Sequence, residues 1–94
     1  MALGWEGSHH TILVDNMVKG SMGPGIIMVK AGRCKIVRND VVGNAEGIVM
    51  VQSMAEIRRN YLADNKNNGM VCEEASQPKV IENFITRNLS QGTL

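Results

Sequence analysis

The run from Gly47 to Asp64 constrains the fold more than any other stretch of the chain. Ile48 to Val51 is a short, unbroken apolar segment, the pattern of a strand covered on both faces. Ser53 follows, and its hydroxyl can accept an orphan N–H in the first turn of a helix. Glu56 stands three residues on, at the spacing of a capping box. Ile57, Tyr61 and Leu62 then recur at helical spacing. The reading is a strand feeding a capped helix over roughly 54–66, with Asn67-Asn68-Gly69 as its stop.

The segments on either side extend this pattern. Met70 to Glu73 reads as another short strand. Ser76 is a second helix-cap candidate, and Pro78 is tolerated in a first turn. Val80, Ile81, Phe84, Ile85 and Leu89 form one apolar stripe of a last helix, which Gly92 ends. Strand–helix–strand–helix makes the two strands parallel with a right-handed crossover. Upstream, Ile12 to Val14 reads as a strand and residues 20–25 as a glycine-rich loop. Residues 25–38 read as a hairpin about Ala31-Gly32, with Ile27, Val29, Cys34 and Ile36 inward and Met28, Lys30, Arg33 and Lys35 outward. No internal repeat is evident. The expected fold is therefore α+β: a small mixed sheet with an antiparallel N-terminal hairpin, a C-terminal βαβα unit and two helices packed on one face. Residues 1–10 carry no periodicity and read as a frayed N-terminal segment, and 11–94 as one α+β domain.

Composition limits the functions such a domain can have. At 94 residues there is room for one modest core. One Trp, one Tyr and one Phe leave that core to aliphatic residues and to some of the seven Met. Net charge is +1, too small to draw polyanions over a distance. No apolar run is long enough to span a membrane, and no signal pattern opens the chain. Cys34 and Cys72 match no metal-ligand spacing and read as free thiols of a reducing cytoplasm.

Candidate site residues are few. Lys19, Lys30, Arg33, Lys35 and Arg38 fall between Asp15 and Asp40 with no acid among them. Lys30, Arg33, Lys35 and Arg38 could contact a nucleic-acid backbone, but no aromatic accompanies them to stack a base. Ser53 and Ser76, at two helix N-termini, could hold an anion. His9 and His10 are adjacent and would point apart on a strand, so they make no joint metal site. No catalytic set, metal site or cofactor motif is present. The functional expectation is a small cytoplasmic interaction module, a homo-oligomer or a subunit with a protein partner. A backbone-contacting nucleic-acid binder is the alternative, and an anion or metabolite binder the third reading.

Overall fold

Four dipeptides ending in asparagine set the architecture: Asp15-Asn16, Arg38-Asn39, Arg59-Asn60 and Glu82-Asn83. Their asparagines lie 23, 21 and 23 residues apart and are hydrogen-bonded to one another in sequence. Such a spacing is one circuit of a solenoid, in which each turn buries its apolar face against the next. A computed structural model describes residues 3–7, 10–73 and 76–88 of the chain, and it has this form.

Among the described residues, twelve short strands make four rungs of three. The first rung is β1 (Leu3–Glu6), β2 (Ile12–Val14) and β3 (Met17–Lys19). The second is β4 (Pro24–Val29), β5 (Cys34–Val37) and β6 (Asp40–Val42). The third is β7 (Glu46–Val51), β8 (Met54–Arg58) and β9 (Tyr61–Ala63). The fourth is β10 (Met70–Glu73), β11 (Gln77–Ile81) and β12 (Phe84–Thr86). Stacking the rungs gives three all-parallel sheets, β1-β4-β7-β10, β2-β5-β8-β11 and β3-β6-β9-β12, which we call the first, second and third faces.

Two of the three corners of every rung turn the chain with a residue in the left-handed region. Between the second and third faces these are Asp15, Arg38, Arg59 and Glu82, at φ 53–58°. Between the third and first faces they are Gly20, Gly43, Asp64 and Arg87. The residue that follows carries the ladder. Asn60 is typical: its Oδ1 accepts the backbone N–H of Asn39 at 2.9 Å, and its Nδ2 donates to the Ile36 carbonyl at 2.9 Å. Ser21, Asn44, Asn65 and Asn88 form the second ladder. At the remaining corner Ser53 Oγ accepts the Ala31 N–H at 3.1 Å, and Ser76 Oγ accepts the Ser53 N–H at 3.2 Å. Corner N–H groups that would be buried without partners are thereby satisfied, which is what allows Asn39, Asn44, Ser53, Asn60 and Asn65 to lie buried.

Apolar columns fill the interior. Ile26, Ile48 and Met70 stand in register on the first face, as do Met28, Met50 and Cys72. Leu13, Ile36, Ile57 and Val80 line the second face. Val18, Val41, Leu62 and Ile85 line the third. The innermost of these, from Val18 to Met70, are fully buried.

The α+β expectation is thus corrected. No helix occurs among the described residues, and the sheets are parallel throughout. The expected helix over 54–66 is β8 and β9, joined by the Arg59-Asn60 corner. Glu56 does not reach back to Ser53; it faces outward on β8, 3.6 Å from Arg58. The expected last helix is β11 and β12, with Leu89 and Gly92 outside the described residues. A two-residue corner between strands spaces Val80, Ile81, Phe84 and Ile85 as a helix would, which is why the stripe misleads. The hairpin is also absent: β4 pairs with β1 and β7, and β5 with β2 and β8. With register set by stacking, Cys34 and Ile36 do face inward. On β4, however, Ile26 and Met28 are buried while Ile27 and Val29 are only half-buried. The side-chain alternation expected for β4 is shifted by one residue. β7 and β10 are parallel neighbours, connected through β8 and β9 rather than by a crossover helix.

Candidate functional site

The basic residues singled out in the sequence do not share one strand face. Lys30 and Arg33 occupy the corner between β4 and β5, both in the left-handed region, and Arg38 the next corner. Arg38 is committed to Asp15, with Nε and Nη2 donating to the two carboxylate oxygens at 2.9 and 3.2 Å. That hydrogen bond, helped by the nearby charge, holds the Asp15 carboxyl below the usual range. Between the third and fourth rungs, Arg59–Glu82 repeats the arrangement at the same corner and Asp64–Arg87 at the next. These exposed pairs contribute little stability. In the Asp15–Arg38–Arg59–Glu82 corner column the two arginines are neighbours, and each is paired with the acid on its other side.

Lys35 lies on the outside of the second face, in a column Ile12–Lys35–Glu56–Lys79. A shallow groove of about 240 Å³ opens here, bordered by Arg33, Lys35, Met54, Glu56, Gln77 and Lys79. Glu56 stands between the two lysines, so the groove is mixed in charge. Ser53 and Ser76 are corner-ladder residues, not helix caps. Ser53 Oγ donates to the Val51 carbonyl at 2.9 Å, and Ser76 Oγ to that of Glu73 at 2.8 Å. Each hydroxyl has both a donor and an acceptor partner within the fold.

The inner wall of the first face carries chemistry that the sequence reading passed over. Met50 and Met70 are fully buried, and Cys72 is half-buried against the same core cluster. Cys72 is in register with Met50 on the neighbouring strand. In-register residues of adjacent strands are about 4.7–4.9 Å apart. Met70 precedes Cys72 by two on β10 and so shares its face. Two thioethers and one thiol therefore face the same side of the first sheet, across the third and fourth rungs. Burial pushes the Cys72 thiol above its ordinary pKa. Cys34 is buried on another face, in register with Ala55, where its thiol donates to the Gly32 carbonyl at 3.5 Å. The signal for the sulfur group is a 22-residue step: Met28, Met50 and Cys72 in one column, Ile26, Ile48 and Met70 in the next.

No curated protein and no solved structure is significantly similar to the chain. A family model described as "Periplasmic copper-binding protein (NosD)" matches residues 3–94. A periplasmic family overturns the cytoplasmic location inferred from the unpaired cysteines. It likewise overturns the reading of an interaction module, with its nucleic-acid and anion alternatives. Matched over almost its whole length, the chain belongs to the periplasmic copper-binding protein (NosD) family.

Proposed function

We propose that the protein is a periplasmic copper-binding solenoid that takes the metal in its cuprous state. The family match over residues 3–94 carries the copper and the compartment. The donor set argues the oxidation state. Cupric ion favours imidazole and carboxylate, and among the described residues no three His, Cys, Asp or Glu side chains gather to hold a metal. Cuprous ion favours thiolate and thioether. The chain has two cysteines and seven methionines, and three of these sulfur residues share the inner wall of the first face. The cysteines fit an oxidising compartment only if they have no disulfide partner at hand. Cys34 and Cys72 stand on different faces and are both free.

Equilibrium dialysis of the purified chain tests this reading. Carried out without oxygen against Cu(I) buffered by a competing chelator, it should leave about one copper per chain after desalting. Dialysis against Cu(II) in a non-coordinating buffer should leave none. A chain that retains no Cu(I) under these conditions is not a copper binder.

A further inference from the structure

We infer that Met50, Met70 and Cys72 form the cuprous site, a three-sulfur set on the inner wall of the first face across the third and fourth rungs. The inference rests on the copper reading above and assigns it to particular atoms. Register is the first ground. Met50 and Cys72 are direct partners across β7 and β10, so their side chains leave the sheet side by side. Met70, two residues back on β10, faces the same side of the sheet. Flexible thioether arms can close on an ion without moving the backbone.

Burial is the second ground. Met50 and Met70 are wholly inside, while Cys72 is only partly covered. An apolar shell keeps water from competing and suits a soft, singly charged ion paired with a thiolate.

Exclusion of the other described sulfurs is the third ground. Cys34 and Met54 both border the groove on the second face, but they bring only two sulfurs there. Met17, Met22 and Met54 are exposed. Met17 lies on the third face, Met54 on the second, and Met22 in the loop before β4. Met28 lies one rung above Met50, too far along the column to meet Cys72 directly.

Binding forms a bond from Cu(I) to the Cys72 sulfur and breaks the S–H bond, and the proton leaves to solvent. The two thioethers donate lone pairs and exchange no proton. The metal enters as Cu(I) and stays so; no oxidant or reductant is consumed.

Anaerobic Cu(I) competition on the full chain, its Cys72→Ser, Met50→Leu, Met70→Leu, Cys34→Ser and Met54→Leu variants tests the assignment. Leucine conserves the buried volume, so the two core variants should keep the fold. Cys72→Ser should lose the copper. Met50→Leu and Met70→Leu should each weaken binding by at least the roughly 10–100-fold that even outer-shell changes cost. Cys34→Ser and Met54→Leu should bind as the parent does. On the unmodified chain, sulfur should be the only neighbour seen by X-ray absorption, and bound Cu(I) should protect Cys72 from alkylation. A parent that binds copper with Cys72 still open to alkylation, or with nitrogen or oxygen neighbours, overturns this site and leaves the copper reading standing. A parent that binds none overturns both.

Discussion

Asn60 shows how much one corner residue holds. Its Oδ1 serves the Asn39 backbone N–H and the Asn39 amide, at 2.9 and 3.0 Å. Its Nδ2 serves the Ile36 carbonyl and the Asn83 amide oxygen, at 2.9 and 3.0 Å. Asn60→Ala removes all four and strands a buried N–H, which alone costs about 1–3 kcal/mol. Chemical denaturation should show at least that loss. Lys79→Ala, on the solvent side of β11, should stay within about 0.5 kcal/mol of the parent. Equal shifts for the two would mean the ladder is not what holds the corner. The ladder also explains the unusual backbone. Arginine, glutamate and aspartate sit in the left-handed region at the corners because the next residue is locked from both sides.

Among the elements, β7 is the most enclosed. It pairs on both edges, with β4 and β10, and its residues from Gly47 to Met50 are all buried. Gly47 is needed there for space. A β-carbon at this position would run into the carbonyl of Gly69, which is backbone and cannot swing aside, and would come within 3.3 Å of Asn65 Nδ2. Gly47→Ala should therefore destabilise by about 1–3 kcal/mol, the usual cost of overpacking. Gly23→Ala, with nothing near the added carbon, should not. Matching melting curves for the two would place the 64–69 loop elsewhere.

For the whole molecule, what could be read from the sequence was local. The strand at Ile48–Val51 is there as β7, the one at Met70–Glu73 as β10, and Cys34 and Ile36 do face inward. What joined them was not legible, because Ser53 and Glu56 satisfy a helix-capping pattern by composition alone. The Val80–Ile85 stripe is equally consistent with a helix and with two strands bent at Glu82-Asn83. The deciding signal is long-range: a charged residue followed by asparagine, recurring at 16, 39, 60 and 83. Each dipeptide alone is an ordinary turn signal. Only their common spacing, with apolar pairs on both sides, marks one face change per rung. The sulfur group was hidden for the same reason, since Met50 and Cys72 become neighbours only once the 22-residue step is known.

That step underlies every assignment above, including the proposed copper site. Through-space proton contacts by nuclear magnetic resonance measure it directly. The account predicts backbone contacts between in-register partners one rung apart: Ile26 with Ile48, Ile48 with Met70, and Met50 with Cys72. Sequential contacts across 54–63 should be those of extended chain. Helical contacts three and four residues apart over 54–66, with no contact between Met50 and Cys72, would contradict it.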